Sequence, residues 1–262
     1  IGCGNLAVGA RSDTIQEGMI DLSICVLHFN RWDLTKDCVD SIDVQDIPCC
    51  TYEKLLIDNG STHPQGIVLR EYWQYIPYQD NRGNIGGQNR CFESASGEWV
   101  LFVANDVRLH ADCIKSLWHH ATHQTHPAWF NGYGRFEVFQ PTLLTIDKKI
   151  DNRGLLWIWP GYGISNRQKY AWHPSAITST CYLMRKTVWN ELGGFDEQLQ
   201  TSHEDVDFSL RARKQLNIWP SSVLDAVATH LGNATLRHQP SHTRAAFHHD
   251  RLRVIRKHYR HL

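Results

Sequence analysis

The chain has no excess of charge of either sign: Lys and Arg number 27, as do Asp and Glu, across 262 residues. Neutrality of this kind offers no broad attraction to nucleic acid or anionic lipid, so any phosphate recognition has to be local. There is also no C-x-x-C pair. The eight cysteines, at positions 3, 25, 38, 49, 50, 91, 113 and 181, lack the dense spacing of a secreted disulfide scaffold, which points to reduced thiols and a cytoplasmic setting. Long apolar runs are missing too. The longest, such as Trp99 to Ala104, are strand-sized and far short of a membrane span, and the first residues lack a basic segment followed by an apolar core. The expectation is a protein with no transmembrane segment, with peripheral membrane contact left open. No internal repeat or low-complexity tract is present.

What the chain does contain is a strand–helix alternation. Leu22 to Phe29 is a continuous apolar run ending in Asn30, and Trp32 to Ile42 carries helical spacing at Leu34, Cys38, Val39 and Ile42. Tyr52 to Ile57 repeats the strand pattern and stops at the turn formers Asp58-Asn59-Gly60-Ser61. A short helix is expected over Ile67 to Trp73, a short strand over Tyr75 to Tyr78, and a helix over Gly87 to Ala95. Trp99 to Ala104 reads as a buried strand, and Ala111 to His126 as a helix. Such alternation predicts an α/β fold with a mostly parallel central sheet, whose ligands collect at the carboxyl ends of the strands. Asn30, Asp58 and Asp106 fall at those ends.

After Trp129 the rhythm changes. Phe136 to Ile146 and Thr178 to Met184 are strand-like, around a loop from Asp147 to Trp172 rich in Gly, Asn, Trp and Tyr. Lys186 to Leu192 is a short helix stopped by Gly193-Gly194, His203 to Gln215 a longer one, and Ser222 to His230 a last strand or two. One domain is expected over 19–240. Residues 1–18 read as a linker, an upstream extension or a cloning remnant, and residues 241–262 as a basic, His-rich helix packed on or extending from the domain.

Taken singly, the polar motifs have ordinary explanations. Asp58-Asn59-Gly60 alone would be a turn, the glycine-rich Asn81 to Arg90 a packing device, and Glu204-Asp205 at a helix start dipole compensation. His230 alone would be structural. Trp157, Trp159 and Tyr162, with Trp172-His173, carry aromatic faces that suit either a sugar or the anchoring of a long loop. His119, His123 and His126 share a helix face without an adjoining Asp, Glu or Cys, and read as solvated, as does the basic run Arg251 to Arg260. The sequons at Asn59 and Asn233 lie inside motifs with better explanations.

Taken together, four segments resemble the family 2 glycosyltransferases, in particular the rhamnosyltransferase-like and galactofuranosyltransferase-like branch with the GT-A fold. They are SICVLHFN, LLIDNGST, NRGNIGGQNRCFESASGEWVLFVANDV and GGFDEQLQTSHEDVDFSLRARKQ, in the family's order. The resemblance implies an inverting, metal-dependent transfer of a sugar from a UDP- or dTDP-sugar to a hydroxyl of a glycan or lipid-linked glycan. It implies that His28, Asn30, Asp58, Asn84, Gly87, Arg90 and Asn105 lie beside the nucleotide, with Asp58 receiving a hydrogen from the pyrimidine. Asp106 and His230 would hold Mn²⁺ or Mg²⁺, with Mn²⁺ favoured by the imidazole. Asp205 would act as general base, with Glu204 beside it in the catalytic pair. Ala104 departs from the pattern, standing where relatives carry Asp or Asn, and it leaves Asp106 as the lone carboxylate of that motif. Two alternatives compete. A nucleotidyltransferase would need a basic signature near the first strand, where His28-Phe29-Asn30 stands. A non-catalytic sugar- or nucleotide-binding module draws support from Ala104 but leaves Asp106, Asp205 and His230 without a reason to occur together.

Overall fold

A computed structural model of the chain describes residues 20–48, 51–62, 67–123, 134–158, 162–167, 174–232 and 242–259. Its centre is a parallel block. Strands β1 (Leu22–His28), β2 (Tyr52–Asp58), β3 (Trp73–Pro77) and β4 (Trp99–Ala104) lie in the order β3-β2-β1-β4. The apolar runs of β1, β2 and β4 are buried on both faces, as parallel strands covered by helices must be, while β3 at the edge is largely exposed. On one face Ile24, Val26, Leu101 and Val103 pack with Cys38, Val39 and Ile42 of α1 (Trp32–Asp43) and with α3 (Cys113–His123). On the other, Cys25, Leu55, Ile57, Val100 and Phe102 meet Phe92 of α2 (Gly83–Ser94) and Val206, Phe208 and Leu210 of α5 (Glu204–Leu216).

Beyond β4 the sheet becomes mixed. β10 (Cys181–Arg185) is antiparallel to β4 and to β6 (Arg135–Leu144), and β6 runs parallel to β11 (Ile218–His230). The three-residue β5 (Val107–Leu109) closes the edge, antiparallel to β11. β7 (Ile150–Asn152) pairs with β6, and β8 (Leu155–Ile158) with β9 (Tyr162–Ser165) forms a separate ribbon. The expected α/β architecture is present, with an all-parallel block in the first half and a mixed part, including the parallel pair β6 and β11, in the second. α4 (Lys186–Leu192) spans the predicted residues and ends at Gly193 in the left-handed region.

Several expectations differ: the loop expected over Asp147 to Trp172 carries β7, β8 and β9, and α2 begins at Gly83 rather than Gly87. Ile67 to Trp73 is not helical where described: 67–70 are irregular and Trp73 opens β3, its indole buried and donating to Asp43 Oδ1 at 3.0 Å. Two apolar residues in a helical spacing are overridden there by an edge-strand pairing with β2. The basic C-terminal run is not simply a solvated face either. α6 (His242–His258) packs on α5, with His258 Nε2 at 2.8 Å and Lys257 Nζ at 2.9 Å from the fully buried Asp207 carboxylate. No helix among the described residues is long and apolar enough to cross a membrane. Residues 1–19, Trp159, Trp172-His173, His126, the Asn233 sequon and Arg260 lie outside the described residues. The side chains of Trp157 and Tyr162 do too.

Candidate active site

Parallel register brings the strand ends to one level. His28 stands beside Asp58, and Leu27 beside Ala104, so Asn105 and Asp106 follow immediately at the same rim. His28 is buried there, Nδ1 lying 2.7 Å from Thr35 Oγ1. That hydroxyl has one proton and also reaches the Arg31 carbonyl at 3.0 Å. The proton on the shorter bond is therefore assigned to His28 Nδ1. Burial pushes His28 below its ordinary pKa, against the pull of Asp58, which keeps the ring neutral. Asn105 Nδ2 donates to the same hydroxyl at 3.1 Å. His28, Thr35 and Asn105 thus lock β1, α1 and β4 together beneath the rim.

Asp58 is likewise held. Oδ1 accepts from the Ser61 backbone at 2.8 Å and Oδ2 from the Tyr75 hydroxyl at 2.5 Å. Each carboxylate oxygen has a second lone pair for a further donor. Asn30, itself in the left-handed region with φ 58°, accepts from the Thr62 amide at 2.8 Å and closes the turn that follows Asp58. Gly60 is needed in that turn. Its φ is +79°, and a Cβ would sit 2.4 Å from the Asp80 carbonyl carbon.

The glycine-rich segment forms a helix that works as a polar hub. Asn84 Nδ2 and Gln88 Nε2, one turn apart on the same face, donate to Glu204 Oε1 at 3.0 and 3.1 Å. Tyr182 in turn donates to Gln88 Oε1 at 2.8 Å. Asn89 Nδ2 donates to the Phe195 carbonyl and to Glu197, while its Oδ1 accepts from the Phe195 amide. Arg90 is buried over the Tyr78 ring at 4.1 Å, and gives Nη1 to Asn59 Oδ1 at 2.7 Å and Nη2 to Asp80 at 2.6 Å. Gly87 is a point of contact, since a Cβ there would lie 2.8 Å from both methyls of Leu27. Sequence reasoning placed Asn84, Gly87 and Arg90 beside a nucleotide; the structure shows their present partners to be protein, and Asn84 alone is exposed. Asn59, buried and held by Arg90, is also a poor glycosylation acceptor.

At the head of α5 two neighbouring acids have different surroundings. Glu204 is buried and bonded to α2, as above, and burial raises its pKa against the Gln88 amide. Asp205 is half-buried. Burial, reinforced by the Glu204 charge, pushes it up to about 8, although the backbone amides of Val206 and Ser179 pull the other way. A carboxyl tuned this far from its usual range is a candidate proton acceptor near neutral pH. The loop before it is anchored from α6: the buried Asp250 carboxylate accepts from the amides of Gln200, Thr201 and Ser202 at 2.8–3.1 Å.

The third cluster forms where β5 meets β11. His230 pairs with Val107, which sets it beside Asp106: His230 Nε2 lies 3.3 Å from Asp106 Oδ2, and Nδ1 lies 3.2 Å from Asp151 Oδ2. Burial would lower the His230 pKa, but Asp106 and then Asp151 outweigh it and hold it above the ordinary value. A carboxylate oxygen and an imidazole nitrogen this close are donor types that would suit a divalent cation. Among the described residues, no group of three or more His, Cys, Asp and Glu side chains is arranged to hold a cation. The chain of contacts continues to Asp205. Ala104, two residues before Asp106, donates to the Thr180 carbonyl at 2.9 Å, and Ser179 lies against the Asp205 carboxylate.

Asp151, Gln88, Tyr75 and Asp250 were not singled out from the sequence. Only Gln88, one helical turn from Asn84 on an otherwise glycine-rich helix, offered a local signal. His119 and His123 stack at 4.6 Å on an exposed face of α3, as expected of solvated residues.

Comparison with known proteins accords with this geometry. The model of the family described as Glycosyl transferase family 2 matches residues 23–193. The O-antigen biosynthesis protein RfbC of Myxococcus xanthus is 27% identical over 224 residues, 76% of this chain and 16% of that protein. The poly(ribitol-phosphate) beta-glucosyltransferase of Bacillus spizizenii is 30% identical over 100 residues, 36% of this chain and 16% of that protein. The chain therefore spans about a sixth of the length of these curated relatives. Among solved structures, GalNAc-T7 with UDP, GalNAc and Mn²⁺ superposes with a TM-score of 0.62 at 14% identity, covering 82% of this chain and 44% of that one. S. aureus TarS 1–349 in complex with UDP gives 0.56 at 19%, covering 80% and 60%. These structures share the GT-A fold. With four motifs, the rim they form and a family model spanning most of the described sheet in agreement, the chain belongs to glycosyl transferase family 2.

Proposed function

We propose that this chain is the catalytic domain of an inverting, metal-dependent glycosyltransferase, moving a sugar from a UDP- or dTDP-sugar to a hydroxyl of a glycan acceptor. The domain extends over 19–240, with α6 docked on it, and the proposed branch is the rhamnosyltransferase-like and galactofuranosyltransferase-like one. The observation that carries the reading is the convergence of Asp106, His230 and Asp205 through β5, β11 and the Ala104–Thr180 bond. Neighbours solved with UDP, UDP-GlcNAc or Mn²⁺ support it by analogy.

Asp58 receives the pyrimidine N–H on a free lone pair while Ser61 and Tyr75 fix the carboxylate plane. Asp106 and His230 would hold the cation, and Mn²⁺ or Mg²⁺ bound there would supply positive charge against that growing on the departing diphosphate. Asp205 takes the proton of the acceptor hydroxyl as its oxygen attacks the anomeric carbon from the face opposite the diphosphate. One displacement of this kind inverts the anomeric centre. Glu204 stays bonded to Asn84 and Gln88 and acts on Asp205 through its charge, so it is a positioning residue.

A donor screen tests the reading. UDP- and dTDP-sugars are incubated with Mn²⁺, Mg²⁺ or EDTA and mixed glycan acceptors, and nucleoside diphosphate release is followed. Metal-dependent release from one donor, lost in Asp205→Asn, is the expected result. Donors that bind without turnover would leave a binding module instead.

A further inference from the structure

The strand β7 is short and lies on the edge of β6, yet among the described residues it supplies the carboxylate that touches the far side of the His230 ring. Regular antiparallel pairing would keep the sum of paired positions constant. Here Leu144 pairs with Ile150 and Leu143 with Asn152, and the register shift falls between them. Asp151 is the extra residue of that shift, a bulge, and bulges re-aim side chains that a straight strand would point elsewhere. On the opposite edge of β6, Thr229 of β11 pairs with Leu144, so His230 emerges one residue beyond the level at which Asp151 is turned. The two side chains meet across the end of β6, with Asp151 Oδ2 3.2 Å from His230 Nδ1. Asp151 is itself steadied by Arg167, whose Nε donates to the Asp151 carbonyl at 3.2 Å and whose Nη2 stands 3.8 Å from the second carboxylate oxygen.

We infer that Asp151 is a positioning residue for the cation site: it holds the Nδ1–H of His230, so that the Nε2 lone pair faces Asp106. The inference rests on the metal-site reading given above. A neutral imidazole carries one N–H and one lone pair, and only the lone pair binds a cation. A carboxylate at Nδ1 accepts a hydrogen and offers none, which fixes the tautomer, fixes the ring plane and makes Nε2 a stronger donor. The need is acute in this chain. Ala104 supplies no second carboxylate on the β4 side, so the cation depends on the orientation of His230 more than it would in a site with two acids there.

The test is the affinity for Mn²⁺ in the presence of saturating UDP, read by electron paramagnetic resonance of free Mn²⁺, with UDP affinity in EDTA and thermal melting as controls. Asp151→Ala is expected to weaken Mn²⁺ binding by about 10- to 100-fold, the usual cost of losing an outer carboxylate on a metal-bound histidine. Asp151→Asn, whose amide oxygen still accepts from Nδ1, is expected to recover part of that loss. Neither variant should change metal-free UDP affinity. If the parent chain binds Mn²⁺ with UDP, His230→Ala loses it and Asp151→Ala retains it in full, the role of Asp151 is overturned while the metal site stands. If the parent chain holds no Mn²⁺ with UDP, the metal site itself fails and takes the inference with it. Equal loss in both Asp151 variants, together with lowered melting temperature and lowered metal-free UDP affinity, would show a merely structural residue and also overturn it.

Discussion

The rim formed by β1, β2 and α2 and the head of α5 treat polar groups in opposite ways. At the rim, His28, Asp58, Asn59, Asn89 and Arg90 are each given protein partners, so the surface is set before any ligand arrives. At the head of α5, Asp205 is held at an unfavourable protonation balance beside Glu204. Two residues further, on a different face of α5, Asp207 shows the contrast within a single helix. Burial would raise its pKa, but His258, Arg211 and Lys257 outweigh burial and hold it far below the usual carboxylate range. Asp207 is stabilising framework, and Asp205 is a cost the fold carries. Recognition surfaces gain from satisfied groups that lose no order on binding, whereas a general base has to retain an appetite for a proton.

The largest effect expected is that of Asp205→Asn. Turnover should fall by about 10²- to 10⁴-fold, the range for loss of a positioned base. The variant should also melt higher. A carboxyl whose folded pKa is raised favours the fold below its unfolded value, and loses that advantage as pH rises towards about 8. The amide never ionises, so calorimetry at pH 8 should show a gain of about 2–4 °C for each kcal/mol recovered, shrinking towards zero at pH 4. A decrease at pH 8 would mean that Asp205 is framework like Asp207.

Arg90→Met probes the other region. It leaves the buried Asn59 Oδ1 only the long contact from the Arg82 amide at 3.4 Å, while the exposed Asp80 carboxylate rehydrates. A loss of about 2 kcal/mol in chemical denaturation is expected, below the roughly 3–5 kcal/mol for breaking a fully buried pair because Asp80 is exposed. Donor KM should rise, and the pH dependence of kcat should be unchanged.

Glu204→Gln should separate charge from geometry. Glutamine still accepts from Asn84, but the charge that raises Asp205 is gone. The acid limb of the kcat profile, where rate climbs as Asp205 ionises, should move to lower pH. A limb that stays in place would remove Glu204 from the tuning of the base. The smallest effect is expected from Tyr75→Phe, which deletes one hydrogen bond to Asp58. UDP affinity should drop by about 3- to 10-fold in isothermal titration, in keeping with about 1 kcal/mol for one such bond, with kcat unaltered.

The same contrast explains what could be read from the sequence. β1, β2, β4 and α4 are long or strongly patterned, and their boundaries follow from local apolar spacing and glycine stops. Asp58, Asp106, Asp205 and His230 lie at or next to the ends of elements, but they stood out only as a set, through the resemblance to the family, since each alone has an ordinary reading. The three-residue strands β5 and β7 carry too little pattern to be seen, yet β5 is what seats His230 beside Asp106, and β7 carries Asp151. The roles of Asn84, Gln88 and Arg90 were hidden for a different reason. Their partners, Glu204, Asn59 and Asp80, are chosen by tertiary packing, and the distance to Glu204 along the chain is 120 residues from Asn84.

The anchoring of the α5 approach by Asp250 also has a consequence for biosynthesis. Gln200 is made 50 residues before the carboxylate that holds its amide. At roughly 5–20 residues per second, the segment leading into Glu204 and Asp205 spends about 3–10 s on the ribosome without its anchor. The strands and helices of the rim all precede Gln200 in the chain, so in synthesis they are complete before the segment leading into Glu204 and Asp205 can gain its Asp250 anchor from α6.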